Sequence, residues 1–276
     1  MSTSGAASRV AGMTIALPRL DLEAACLTLK EIGFAGAEVW IGQLGPLPPS
    51  PAHAEAVRQR MESWGLGVTA FNVVGEPNFD PFSGAEGRRR TVDGLARHLV
   101  LGHHLGAPTV LIWEGVATGE RASSAAGELA SCIEEARDQS GLAQAPAVSV
   151  EPHPFTFGLA TGRLDELAAA LTGVGAGICL DFCHFAVGLG ADWPDRVSEQ
   201  VLDAVNHIHY ADSDCHTSEL HFPPGEGCLD MERITRLLTG RGVSCGWDMY
   251  GWPAPREAMR RRMKSYVSFV EALYAS

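Results

Sequence analysis

Carboxylates and imidazoles recur at the ends of short apolar runs, mostly in the second half of the chain. V-S-V-E-P-H-P places Glu151 and His153 after one run, and I-C-L-D-F-C-H places Asp181 and His184 after the next. H-I-H-Y-A-D offers His207 and His209, and C-G-W-D-M-Y brings Asp248. Earlier, G-A-E-V-W carries Glu38, and I-W-E-G carries Trp113 and Glu114. One carboxylate beside an apolar run is ordinarily a hydrogen-bonded structural group. Several converging on one place are another matter, because like charges at low dielectric repel until protons or a cation neutralise them. Two or three Asp or Glu with one His suit Mn²⁺, Co²⁺, Mg²⁺ or Zn²⁺. The candidate ligands are Glu151, Asp181, His209 and Asp248. His207 and His209 are two apart and share one face of an extended strand. His209 lies nearer the carboxyl end and is the expected ligand, with His207 a core residue one layer below.

These residues need elements that bring them to one rim. Short β-branched runs alternate with longer segments of helical period. Strands are expected at Gly12–Leu17, Gly36–Trp40, Gly67–Val73, Thr109–Trp113, Ala147–Glu151, Gly177–Asp181, Val205–Tyr210 and Val243–Asp248. Helices are expected at Asp21–Ile32, with Asp21 as N-cap, and at Ala52–Trp64, Ala85–Leu105, Ser123–Leu142, Gly162–Leu171, Pro194–Leu202, Asp230–Thr239 and Arg256–Tyr274. Strand then helix, eight times over, predicts an α/β fold, a single (β/α)8 TIM barrel spanning residues 1–276, with residues 1–9 expected as a disordered tail. An open doubly wound sheet would place a glycine-rich phosphate turn after its first strand, and A-L-P-R-L-D has none. In a TIM barrel the active site lies at the carboxyl ends of the strands, where the polar residues fall.

Composition narrows the partners. The chain has 276 residues, 46% of them hydrophobic, enough for a large core. Its formal net charge is −12, which argues against binding a nucleic-acid backbone. No apolar run is long enough to span a bilayer, and the N-terminus lacks the apolar core of a signal peptide, so no membrane partner is expected. Seven cysteines without regular spacing fit a reducing cytoplasm, with Cys179 and Cys183 as packing residues. Lysine occurs only at Lys30 and Lys264, both in predicted helices, which disfavours Schiff-base chemistry. The rim offers no phosphate turn and few basic residues, Arg19 and Arg163 being the candidates, so a non-phosphorylated substrate is favoured. Trp40, Trp113, Phe155, Phe157, Trp193, Trp247 and Trp252 sit at or beyond strand ends, where aromatic walls suit the apolar faces of sugars, although about half are expected in the core.

V-E-P-H, then D-F-C-H, then H-I-H-Y-A-D, then P-G-E-G, then the acid after strand 8 follow one another in an order that resembles the xylose isomerase-like TIM-barrel superfamily, the sugar phosphate isomerase/epimerase family. The resemblance runs over nearly the whole chain and is sharpest from Glu151 to Asp248. It implies one divalent metal ion, Mn²⁺ first, held by Glu151, Asp181, His209 and Asp248, with His184 contacting substrate oxygens. It also implies that the strand-5 and strand-8 carboxylates shuttle a proton on opposite faces of a bound sugar. Two departures stand out. Strand 8 usually ends in Glu in the family, and here the acid is Asp248, one methylene shorter. Six residues after the metal His, ketose 3-epimerases carry an Arg where this chain has Cys215, in a loop that offers Asp212, Asp214, His216 and His221 instead.

The chemistry expected is therefore isomerisation or epimerisation of a non-phosphorylated sugar, polyol or sugar-like hydroxyketone, by proton abstraction next to a metal-bound carbonyl. Glu151, Asp248 and His184 are the candidate catalytic residues. His184, His153, Trp113, Glu38 and Glu226 are the candidate substrate contacts. Dehydration or cleavage of the inosose dehydratase type shares the first step, and a degenerate sugar-binding barrel is the non-catalytic alternative. A homo-oligomer is compatible with the resemblance.

Overall fold

Most strands are short apolar runs whose residues are buried on both faces, as a parallel sheet covered by helices requires. In the computed structural model, which describes residues 9–45, 49–75, 79–117 and 119–275, the strands are β1 (Ala11–Met13), β2 (Gly36–Trp40), β3 (Gly67–Asn72), β4 (Thr109–Trp113), β5 (Ala147–Glu151), β6 (Gly177–Asp181), β7 (Val205–Tyr210) and β8 (Ser244–Trp247). Every strand pairs in parallel with its sequence neighbours, and β1 pairs with β8 to close the barrel. The helices among the described residues are α1 (Leu22–Ile32), α2 (Pro51–Ser63), α3 (Gly84–Leu105), α4 (Ala125–Ser140), α5 (Phe157–Thr161), α6 (Leu164–Gly173), α7 (Phe182–Leu189), α8 (Glu199–Asp203), α9 (Met231–Leu238) and α10 (Pro255–Leu273). This is the (β/α)8 barrel expected from the sequence.

Strands β2, β4, β5, β6 and β7 have the bounds read from the sequence. β1 is shorter than expected: at Thr14 the chain turns into a 3-10 helix, and the Thr14 hydroxyl accepts the backbone N–H of Trp40 at 2.9 Å. Asp21 caps α1 by accepting from Ala24 N at 2.8 Å. Two short helices were not expected. α5 ends at Gly162 in the left-handed region, and α7 starts directly at the end of β6 because Asp181 is its N-cap, accepting from His184 N at 2.7 Å. The tail expected over residues 1–9 lies outside the described residues up to position 8; Arg9 covers the Tyr274 ring, 3.6 Å from its centre.

The main core lies between barrel and helices. Tyr266 of α10 donates to or shares its hydroxyl between Ala11 O (2.8 Å) and Cys245 O (3.0 Å), one carbonyl on each side of the seam that closes the barrel. Inside the barrel, Ala70, Leu111 and Cys179 form a small apolar plug. Glu38 enters the same interior, and a Cβ on Gly246 would stand 2.9 Å from its Oε2, so glycine leaves the room that the carboxylate needs. No helix among the described residues is long and apolar enough to cross a membrane.

Candidate metal centre and cavity

Alternation along β5, β6 and β7 turns Glu151, Asp181 and His209 inward at the carboxyl ends of their strands. The register sets Asp181 against His209 and Glu151 against Trp113. A bulge in the β6–β7 pairing between Ile178 and Cys179 adjusts the inward face just before Asp181. His209 Nδ1 stands 2.8 Å from Glu151 Oε1 and 3.5 Å from Asp181 Oδ2. Asp248 follows β8 directly, and the ligating atoms of Asp181, His209 and Asp248 all lie within 4.8 Å of one another. The four expected ligands thus share one buried cluster.

A fifth group joins them. His221 arrives on the long loop after β7, held by an antiparallel bridge between Asp212 and Phe222 and by its own N–H donated to Tyr250 O at 3.0 Å. Its Nε2 stands between two carboxylates, 3.3 Å from Asp181 Oδ2 and 3.5 Å from Asp248 Oδ2. Sequence spacing gives no sign of this, since eleven residues, ten of them loop, separate His221 from His209.

The charges are mutually dependent. Burial would raise the Glu151 and Asp181 carboxyls, but the imidazoles around them, His209 and His153 for Glu151 and His184, His221 and His209 for Asp181, hold both well below the usual range. Burial would lower His209, but Glu38, Glu151 and Asp181 hold it well above the usual imidazole range. Burial opposes protonation of His221 as well, and Asp248 and Asp181 bring it up to about 9. Asp248 itself is raised by burial. Protonated His209 and His221 therefore do here what a cation would do: they offset the buried carboxylates around them. An oxygen-rich set of three carboxylates with one or two imidazole nitrogens, converging from the ends of four strands and a loop, fits a divalent ion.

Facing the cluster is a cavity of about 200 Å³, smaller than the usual site for a drug-sized ligand and suited to a small one. Trp40, Trp113, Met13, Ile15, Val74 and Tyr250 line it, with Glu151, His153, His184, His209, His221 and Asp248 on its floor. His153 and His184 pack with ring centres 3.7 Å apart and planes tilted by 41°, and Trp113 packs on His153 at 4.5 Å. Both ring nitrogens of His153 and of His184 are buried without a hydrogen-bond partner among the described residues, as is His221 Nδ1. Burial pushes His184 down to about 3, so it is a neutral imidazole. Buried polar atoms are almost always paired, so these open nitrogens have capacity for partners from outside the chain, water or ligand.

A sequence model described as the xylose isomerase-like TIM barrel matches residues 26–267. The chain belongs to that family. No curated protein matches the sequence. Among solved structures, the IolI protein with a bound zinc atom superposes with a TM-score of 0.72 at 15% identity, covering 97% of this chain and 100% of that one. The probable 3-DHS dehydratase AsbF from Bacillus anthracis gives 0.70 at 16%, covering 93% and 97%. A D-tagatose 3-epimerase-like protein gives 0.70 at 16%, covering 96% and 99%. At such identities the likeness is one of fold.

Within this xylose isomerase-like barrel, two expected substrate contacts lie elsewhere. Glu38 is below the cavity. It accepts from Asn72 Nδ2 at 2.7 Å, meets His207 Nε2 at 2.9 Å, and stands 3.2 Å from His209 Nε2. Burial would raise its carboxyl, but His209 and His207 bring it down to about 2. Its place is behind the candidate ligand, where it fixes the ring orientation of His209. Glu226 is on the surface, ion-paired with Arg261 and Arg262, because the turn after His221 carries it outward toward α10. Glu114, next to the cavity-lining Trp113, points to the opposite side of β4: its Oε1 accepts from Thr156 Oγ1 and Gly158 N at 2.5 and 2.6 Å, and burial raises it to about 8. Trp40 and Trp113 line the cavity, whereas Phe157, Trp193 and Trp247 belong to the core. Arg163 is tied to Ala122 O and Glu166.

Proposed function

We propose that this protein is a divalent-metal-dependent isomerase or epimerase of a non-phosphorylated sugar or sugar-like hydroxyketone. The observation that carries the reading is the set of open, buried imidazole nitrogens on His153, His184 and His221 beside three converging carboxylates. Glu151, Asp181, His209 and Asp248 would hold the ion, with Mn²⁺ suited to their oxygen-rich set. When bound, such an ion supplies Lewis-acid polarisation of a carbonyl. Glu151, held ionised at the cavity floor, removes the proton beside that carbonyl. His184, neutral and with both ring nitrogens free of hydrogen bonds among the described residues, meets the substrate oxygens and, with Asp248, is the group placed to return a proton. Trp40 and Trp113 supply an apolar wall, and the lining has no lysine or arginine among the described residues, which favours an uncharged substrate over a phosphorylated one.

One observation favours a second reading, a dehydratase. Asp248 Oδ1 accepts from Tyr250 N at 2.7 Å and Oδ2 faces His221, so this shorter acid is engaged on both oxygens. Chemistry that needs a proton removed on one face only, followed by loss of a β-hydroxyl, asks less of it. Incubation of the Mn²⁺-loaded protein with a panel of ketoses and inososes in D₂O distinguishes these outcomes. Deuterium incorporation with an unchanged formula supports isomerisation or epimerisation, and loss of water supports dehydration. Binding without exchange or product would leave a sugar-binding barrel and defeat the enzymatic reading.

A further inference from the structure

The loop between β7 and α9, residues 211–230, is built around a neck. The buried Asp212 carboxylate accepts four backbone N–H groups across it: Ser213 and Leu229 on Oδ1, Gly225 and Gly227 on Oδ2, at 2.8–3.0 Å. Cys228 N donates to Ser213 O at 2.8 Å, joining the outgoing leg to the incoming one. At this neck Cys215 and Cys228 face each other with their Sγ atoms 2.6 Å apart, inside van der Waals contact and approaching the about 2.0 Å of a formed disulfide. Cys215 is the one non-glycine residue with positive φ among those described, at 63°, a conformation that persists only where its surroundings impose it. Cys215 N is in turn held by Ser213 Oγ at 2.9 Å. Between the two cysteines the chain runs out and back, and its middle delivers Glu219 and His221 to the cavity.

We propose that Cys215 and Cys228 form a reversible disulfide that clasps the neck of this loop and so holds Glu219 and His221 at the cavity. The oxidant is hydrogen peroxide. The exposed Cys228, as thiolate, attacks one peroxide oxygen. The O–O bond breaks, and the leaving oxygen departs as water after taking a proton. The resulting sulfenic acid is attacked by the Cys215 sulfur, the S–O bond breaks, and a second water leaves as the S–S bond forms. Two thiols are oxidised and the peroxide is reduced, with two protons and two electrons accounted for. A thiol reductant reverses the reaction. The other five cysteines are buried, so this pair is the one a reagent in solution meets. That the clasp governs access to a catalytic cavity rests on the function proposed above; that the clasp forms does not.

The test uses the full-length protein, treated with hydrogen peroxide and then alkylated while folded. The clasp predicts a mass lower by about 2 Da, loss of the two readily alkylated thiols, and a peptide joining residues 215 and 228, all reversed by dithiothreitol and absent in Cys228→Ser and Cys215→Ser. It also predicts that protease cleavage within residues 216–227 slows several-fold on oxidation of the wild-type chain and not of Cys228→Ser. Unchanged alkylation after peroxide, a link between other cysteines, or equal cleavage rates before and after oxidation would overturn it. None of these readouts needs enzymatic activity, so the clasp and the proposed function fail separately.

Discussion

Two layers of carboxylate and imidazole lie one above the other inside the barrel. In the lower one, Glu38 is bonded to Asn72 and His207, and His207 Nδ1 lies 2.6 Å from Ser244 Oγ. In the upper one, Glu151, Asp181 and Asp248 have mainly imidazoles for partners, and several of those imidazoles keep nitrogens with no partner among the described residues. The residue types are nearly the same. What separates a structural network from a candidate site is whether its hydrogen-bonding capacity closes on itself. Glu38 belongs to the first layer and supports the second through His209.

The comparison can be broken by substitution, in decreasing order of expected effect. Glu151→Gln removes the base from the open layer and should lower kcat/KM by about 100- to 10,000-fold on any substrate found by deuterium exchange, with the fold kept by circular dichroism. Glu38→Gln acts on the closed layer and should leave the cavity intact while weakening divalent-metal affinity by about 10- to 100-fold, measured by titration calorimetry. If Glu38→Gln proves as damaging to turnover as Glu151→Gln at saturating metal, the two layers are not separate.

Glu114 tests the cost of an acid with neither arrangement. Folding raises it from 4.5 to about 8, so over that range the folded chain keeps a proton the unfolded chain has lost, and stability falls as pH rises. Glu114→Gln lacks this slope and should gain roughly 3 kcal/mol relative to wild type between pH 5 and 8, read from urea midpoints. Glu226→Ala, at the exposed pairs with Arg261 and Arg262, should change stability by less than about 0.5 kcal/mol and leave turnover unaltered.

The barrel and the upper cluster were legible because each inward polar residue falls at the end of a strand buried on both faces, where a charge has few uses besides chemistry. Depth was harder to read. Glu38 stands two residues before the end of β2 at Trp40, as His207 stands two before His209, and that offset puts both one pleat lower. The α7 helix was hidden because Asp181 serves at once as strand end and N-cap. His221 was not legible as part of the cluster, because a bridge between Asp212 and Phe222, not any local period, brings it in. Glu226 sits in a motif whose glycines serve the Asp212 turn: a Cβ on Gly227 would fall inside Asp212.

The central claim is that the upper layer holds one divalent ion. Calorimetric titration of Mn²⁺ into chelator-treated protein tests it most directly, run on the wild-type chain beside Asp181→Asn and Glu226→Ala. The account predicts one site per chain in the wild type and in Glu226→Ala, and its loss in Asp181→Asn. Equal binding by all three, or none by the wild type, would contradict it.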